Sequence, residues 1–153
     1  MAREEAVCGQ HHDESIDRLL AEVCHLHRSR AHQLLEALGL YRGQPPVLFA
    51  LWEQEGLTHT ELAERLHNTP STISKMLRRM ERAGFLVRRV DAEDQRVSRV
   101  YLTDKGRAIQ SDVMDVFRRT EAETFAGLAA EERAQLRGFL QQLRANLRRA
   151  TQG

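Results

Sequence analysis

The hydrophobic pattern changes its period at Phe85, and this change restricts the fold more than composition does. Before it, residues 57–83 carry apolar side chains at spacings of three and four, the pattern of amphipathic helices. After it, the β-branched runs LVRRV and VSRVYLT flank the polar segment DAEDQR, which is the pattern of a β-hairpin. Two short helices followed directly by a hairpin predict a winged helix-turn-helix.

Capping signals divide residues 57–85 into two helices. Thr58 has a glutamate three residues later, which is a capping box. Thr69 precedes Pro70, as an N-cap precedes the first position of a helix. Gly84 is expected to end this second helix.

Longer helical patterns flank the winged region. Before it, they predict one helix from Asp13 or Ser15 to about Leu38 and another through VLFALWEQEG, with Pro45 and Pro46 in its first turn and Gly56 as its C-cap. After it, they predict one helix from Thr103 to Ala126 and a last one from about Ala130 to Arg148. The helices at the two chain ends carry Leu-rich stripes that a small winged module could not cover, so a second copy of the chain is the economical partner. The expected fold is mainly α with a small β-hairpin wing, in which residues 41–107 form a winged helix-turn-helix DNA-binding region and residues 13–40 and 108–149 a helical dimerisation region.

Charge is distributed unevenly along the chain, although the net charge is only +1. Residues 68–107 contain ten Lys/Arg and five Asp/Glu, which gives +5, while the rest of the chain carries −4. A basic middle between acidic flanks is typical of a protein with one anion-facing surface.

The helix after Thr69 and the hairpin supply the candidate contacts to double-stranded DNA. The helix turns its apolar stripe inward, so Ser71, Thr72 and Lys75 are expected to reach base edges or phosphates from its first turn. The full set of candidate DNA-binding residues is Ser71, Thr72, Ser74, Lys75, Arg78, Arg79, Arg88, Asp94 and Arg96. The alternative for the helix alone is an ordinary solvated face.

At the hairpin tip, Arg96 is the candidate for insertion into a minor groove. Asp94 lies two residues earlier, and we expect its carboxylate to pair with the Arg96 guanidinium and hold it in one orientation. Asp91 and Glu93 have no firm role in the sequence, and limiting non-specific phosphate binding is one hypothesis for them.

Residues 57–107 resemble the DNA-binding part of the MarR/SlyA family of bacterial winged-helix regulators. The matching segments are LTHTELAERL, TPSTISKMLRRMERAGFLVRR and DAEDQRVSRVYLTDKG, with the Asp-x-Arg at residues 94–96 and the Leu-Thr-x-x-Gly at residues 102–106. The resemblance implies a homodimer closed by the terminal helices, a recognition helix at residues 70–83, and a wing arginine in the minor groove. It also implies a transcriptional regulator, more often a repressor, that is released from a palindromic operator by a small-molecule or stress signal. The three acids at the wing tip depart from the family pattern.

An effector pocket is implied by the same resemblance, for phenolic compounds, oxidants or metal ions. Arg28, His32 and Trp52 are candidates for an anionic aromatic effector by placement alone, although Trp52 also fits a core position. Cys24 is the redox candidate, because His27 and Arg28 lie within a helical turn of it, and an inert thiol is the alternative. No metal site or cofactor is expected, because one helix supplies at most two of the converging ligands that zinc requires.

The remaining features exclude several classes of protein. Cys8 and Cys24 form no CxxC pair, the N-terminus has no apolar core, and no apolar run spans a bilayer, so a cytoplasmic protein with no membrane partner is expected. No nucleophile–base pair or glycine-rich phosphate loop predicts an enzyme. The competing function is a winged-helix interaction module in which Arg78, Arg79 and Arg88 bind an acidic protein partner.

Overall fold

The computed structural model describes residues 15–151. Its elements follow in the order α1 (Ile16–Glu36), α2 (Gln44–Glu53), β1 (Leu57–Thr58), α3 (His59–Arg65), α4 (Pro70–Arg82), β2 (Leu86–Val90), β3 (Ser98–Leu102), α5 (Asp104–Ala108), α6 (Gln110–Thr124) and α7 (Ala130–Thr151). The mainly helical fold with a small β wing is therefore confirmed. None of the helices within residues 15–151 is long and apolar enough to cross a membrane.

The predicted caps explain where the helices begin. The Ser15 side chain accepts a hydrogen bond from the Arg18 backbone, so Ser15 is the N-cap of α1, and the alternative cap Asp13 lies outside the described residues. Thr58 forms the predicted capping box of α3, and the Thr69 side chain caps α4. Thr103 caps α5 by accepting from the Gly106 backbone N–H.

Two predicted boundaries were wrong. Gly56 does not cap α2, which ends at Glu53 and has Gln54, in an extended conformation, as its C-cap. Gly56 instead turns the chain into β1 at a φ of +79°, and β1 makes the hairpin a three-stranded antiparallel sheet of order β1-β3-β2. The long helix predicted after Thr103 is divided at Ile109 into α5 and α6.

The core lies within the winged region and the helices that touch it. Fully buried side chains come from α2, α3, α4, the sheet, α6 and two connecting segments: Leu40, Val47, Leu48, Leu51, Leu62, Ile73, Leu77, Met80, Phe85, Leu86, Val100 and Val113. Only the C-terminal half of α1 joins this core, through Leu35. α7 contributes no buried residue.

Candidate nucleic-acid interface

Helix α4 separates a buried stripe from an exposed basic face. Ile73, Leu77 and Met80 are buried at spacings of four and three, which fixes the rotation of the helix. The opposite face exposes Ser71, Thr72, Lys75, Arg78 and Arg79, all of them predicted contacts. This face begins at the N-terminal end of the helix, where the macrodipole is positive.

Two predicted contacts of the same set are less accessible. Ser74 is half-buried. Arg88 on β2 is also half-buried, because Glu81 on α4 accepts hydrogen bonds from its Nε at 3.0 Å and its Nη2 at 2.5 Å. This hydrogen bonding lowers the pKa of Glu81. Arg88 therefore ties α4 to the sheet, a role that the sequence analysis missed.

Asp91 organises the turn of the wing. Its Oδ1 accepts hydrogen bonds from the backbone N–H groups of Glu93 at 2.8 Å and Asp94 at 3.1 Å, while its Oδ2 accepts from Arg99 Nε. These bonds, led by that from Arg99, lower the pKa of Asp91 to about 2. The carboxylate thus has a structural role, which the hypothesis of limiting phosphate binding did not include.

The predicted pairing of Asp94 with the Arg96 guanidinium was wrong. Asp94 Oδ1 accepts from the backbone N–H of Arg96 at 2.9 Å, which is an Asx-type turn. No ion pair joins the two side chains in the part of the chain that the structure describes. The physical reason is the turn itself: its tight geometry brings the carboxylate to the nearer backbone donor, and Arg96 remains exposed.

Arg99 joins the wing to the segment before β1. Its Nη1 donates to the carbonyl oxygen of Gly56 at 2.9 Å and lies 4.0 Å from Glu61 Oε2. Glu61 is the capping-box glutamate of α3. The spacing of Asp91 and Arg99 across a hairpin was the only sequence signal for this network, and it becomes informative only once the strand register is known.

Ion pairing leaves a defined set of cations uncompensated. Within residues 68–107, three arginines form ion pairs with acidic side chains of the same segment: Arg88 with Glu81, Arg99 with Asp91, and Arg107 with Asp104. Within residues 15–151, the cations of that segment without an ion pair are Lys75, Arg78, Arg79, Arg82, Arg89, Arg96 and Lys105. Most of them lie on α4 or the wing, so the local excess of positive charge is concentrated on that surface.

The three effector candidates have different local environments. Trp52 Nε1 donates to the Gly106 carbonyl oxygen at 2.9 Å, and its ring packs edge-on against Phe49. Arg28 Nε bonds to the Cys24 carbonyl oxygen of its own helix. His32 is half-buried, and its Nδ1 is buried without a hydrogen-bond partner. No hydrogen bond or ion pair between described residues connects the three.

A cavity of about 390 Å³ lies elsewhere, between α6 and α7. Its lining includes Phe125, Leu136 and Leu140 beside Arg137 and Arg144. None of the predicted effector residues lines it.

Within residues 15–151, neither the redox candidate nor any set of metal-ligating side chains forms an assembled site. Cys24 is an exposed free thiol, and Cys8 lies outside the described residues. No group of three or more potential metal-ligating side chains occurs within residues 15–151.

Comparison with known proteins identifies the family. A model described as the MarR family matches residues 40–98. The HTH-type transcriptional regulator TtmR of Methylorubrum extorquens is 36% identical over 101 residues, which are 66% of this chain and 51% of TtmR. The transcriptional regulator HosA of Escherichia coli O157:H7 is 32% identical over 93 residues, which are 61% of this chain and 69% of HosA.

Solved structures share the fold over most of the chain. A mutant of S. aureus MepR bound to an oligodeoxyribonucleotide aligns with a TM-score of 0.66 and 30% identity, covering 87% of this chain and 98% of that one. By contrast, the matched region spans only about half of the first curated relative, at 51% of its length. The matching relatives are named as transcriptional regulators and not as enzymes. On these matches, together with the helix–helix–wing order, the chain belongs to the MarR family.

Proposed function

We propose that the protein is a homodimeric transcriptional regulator that binds a palindromic operator in double-stranded DNA. The observation that carries this proposal is the concentration of unpaired cations on the exposed face of α4 and on the wing. Phosphates of DNA are the natural counter-charge for such a surface, because their neutralisation releases condensed counterions.

Each part of this surface has a distinct role in the proposal. The first turn of α4 enters the major groove, where Ser71, Thr72 and Lys75 meet base edges or phosphates. Arg78 and Arg79 bind phosphates and fix the register. Arg96 at the wing tip enters the minor groove, where negative potential is concentrated. The oligodeoxyribonucleotide in the MepR complex supports DNA as the ligand of this fold.

Dimerisation is supported by apolar side chains that one protomer leaves exposed. Ile16, Leu19, Val23 and Leu26 on α1 are exposed at spacings of three and four, as are Leu140, Leu143 and Leu147 on α7. Such a/d-type stripes pack against other helices. In a two-fold dimer, the second winged region reads the second half of the palindrome.

Regulation follows from occupancy of the operator. A dimer bound across a promoter occludes it, so repression in the cytoplasm is the proposed mode, with release by a small-molecule or stress signal. Arg28, His32, Trp52 and Cys24 remain candidate residues for that signal.

Selection of bound duplexes from random DNA tests the function directly. The wild-type protein is expected to enrich one palindromic sequence, and addition of phenolics, an oxidant or zinc is expected to identify the signal that releases it. Arg96→Ala should weaken binding to the selected duplex by roughly 1–3 kcal/mol. Arg118→Ala on α6, which removes the same charge from an arginine paired with Asp115, is the control.

Two results would overturn the proposal. Enrichment of no sequence would favour the acidic-partner module instead. Equal affinities of Arg96→Ala and Arg118→Ala would remove the wing from the mechanism.

A further inference from the structure

The wing turn is closed by bonds that do not involve DNA. The Asp91 backbone N–H donates to the Val97 carbonyl oxygen at 2.9 Å, and the Val97 N–H donates to the Asp94 carbonyl oxygen at 2.9 Å. Asp91 Oδ1 accepts the two further N–H groups within the turn, those of Glu93 and Asp94. Arg96 stands on this turn, so its position follows from that of Asp91.

The same carboxylate connects the turn to the rest of the winged region. Asp91 Oδ2 holds Arg99 Nε, while Arg99 Nη1 reaches the Gly56 carbonyl oxygen. The Gly56 N–H in turn donates to the Val100 carbonyl oxygen at 2.8 Å. Gly56 is therefore bound to β3 through both its N–H and its carbonyl oxygen, and the Arg99 guanidinium spans from the segment before β1 to the wing turn.

The site before β1 is itself confined. Gly56 adopts a φ of +79°, and a Cβ there would lie 3.3 Å from the Tyr101 hydroxyl. Glycine suits that conformation and that close approach better than a residue with a Cβ. The anchor for Arg99 is thus a fixed backbone carbonyl.

Electrostatics gives Asp91 a second effect. Arg89 and Arg99 are directly opposite each other in the antiparallel pair of β2 and β3. Like charges in that arrangement repel. The Arg89 guanidinium lies over the Tyr101 ring, 5.4 Å from its centroid, and Asp91 neutralises Arg99. The hydrogen bond from Arg99 is the largest of the causes that lower the pKa of Asp91 to about 2, as expected for a carboxylate held in its charged form by this pair.

We propose that Asp91 and Arg99 are positioning residues for DNA binding: their ion pair, anchored on the Gly56 carbonyl, fixes where the wing presents Arg96 relative to α4. This inference rests on the proposed function. It differs from a direct contact role, because Asp91 carries the charge that DNA repels and acts only through the placement of Arg96.

The sign of the effect of Asp91→Asn separates positioning from simple charge. Removing a carboxylate near phosphates should tighten DNA binding if charge alone mattered. Positioning predicts the opposite: binding to the selected duplex weakens roughly fivefold or more, a loss within the range of removing Arg96 itself. Glu93→Gln is the matched control, since it removes the same charge two residues from Asp91. The Glu93 side chain makes no hydrogen bond or ion pair among the described residues. It should bind equally well or more tightly.

Arg99→Gln provides a second variant should Asp91→Asn fail to fold, as judged by circular dichroism. Its matched control is Arg89→Gln, which removes the same charge from the residue directly opposite. Positioning predicts a clearly larger loss of affinity for Arg99→Gln. It also predicts that Arg96→Ala costs less in the Asp91→Asn background than in the wild type, because Arg96 is then no longer held in place.

Three binding results would overturn the proposal: tighter or equal binding by Asp91→Asn relative to Glu93→Gln, equal losses for the two arginine variants, or a full cost of Arg96→Ala in the Asp91→Asn background. Hydrogen exchange of the Glu93 and Asp94 amides supplies a reading that needs no DNA. Lost protection of these amides in Asp91→Asn supports the anchored turn, whether or not the wild-type protein prefers one duplex. If the wild-type protein prefers no duplex, DNA recognition is rejected and the anchored turn is not. Unchanged protection rejects the anchor itself.

Discussion

At Gly106, the backbone of α5 packs closely against the backbone of Phe85. A Cβ built there would lie 2.0 Å from the Phe85 carbonyl oxygen, a distance that backbone atoms cannot accommodate without moving. Trp52 donates to the Gly106 carbonyl oxygen from the other side. One small residue therefore lets α5 pass between the end of α4 and the end of α2.

Replacing Gly106 should destabilise the fold by this contact alone. We expect Gly106→Ala to lower the free energy of unfolding by roughly 3 kcal/mol, because overpacking forces the backbone of α5 away from Phe85. Chemical denaturation measures the loss. Gly138→Ala is the control, since nothing lies within 4 Å of a Cβ at that position and alanine favours helix. Equal stability of the two variants would contradict the close approach.

At the residue scale, the sequence predicts types of residue better than their partners. Thr58, Thr69 and Thr103 were predictable as caps because their partners lie three residues away along the chain. Asp91 and Arg88 were not, since their partners depend on the strand register and on how α4 packs against β2. Helix caps can be read from spacing, whereas tertiary bonds cannot, and neither can the turn bonds that Asp91 and Asp94 accept from nearby backbone N–H groups.

At the scale of elements, polar side-chain contacts attach α1 to α6. Arg30 donates to both oxygens of Glu123, at 2.6 and 2.9 Å, and Arg119 donates to the same carboxylate at 2.8 Å. His27 Nδ1 lies 2.9 Å from Thr124 Oγ1 one turn nearer the N-terminus of α1. The two arginines lower the pKa of Glu123 from its ordinary 4.5 to about 2.

This shift predicts a pH dependence of stability. Because the pKa of Glu123 is lower in the folded state, its contribution is complete above the ordinary value and is lost as the pH falls from about 4.5 to about 2. Glu123→Gln should be less stable than the wild type at pH 7, and the difference should shrink across that range. Thermal unfolding at fixed protein concentration measures it. Glu121→Gln removes the same charge from α6 without touching Arg30, so a similar pH dependence of its effect would argue against the ion pair.

Element types were predictable because hydrophobic period and caps agree over long stretches. Two features were not predicted, one because the element is very short and the other because the helical pattern continues through it. β1 has two residues, too few to show a period, and its pairing with β3 depends on a distant part of the chain. The division at Ile109 interrupts an otherwise continuous helical pattern, so only the packing of α5 against the sheet reveals it.

At the scale of the whole molecule, the protomer exposes side chains that water does not favour. Ile16 is 83% exposed, Phe139 56% and Leu147 66%. They lie on the helices at the two ends of the described chain, away from the core of the winged region. Burying such stripes against a second protomer would couple folding to association.

Stability should therefore depend on protein concentration. We expect the Tm of the wild type to rise with protomer concentration, and Leu143→Asp on α7 to yield a monomer of lower Tm by analytical ultracentrifugation and thermal unfolding. Gln142→Asp introduces the same residue at the neighbouring exposed position and controls for helix propensity. A wild-type monomer at micromolar concentration, or a dimeric Leu143→Asp, would refute the proposed interface.

Only some side chains of the wing turn take part in the hydrogen bonds and ion pairs that hold it. The frame depends on Asp91, Asp94 and Arg99, whereas no hydrogen bond or ion pair among the described residues uses the side chains of Ala92, Glu93 or Gln95. Those three positions are therefore free to vary without loss of the frame. A library confined to them would test how far sequence preference in the proposed DNA complex depends on the tip around Arg96.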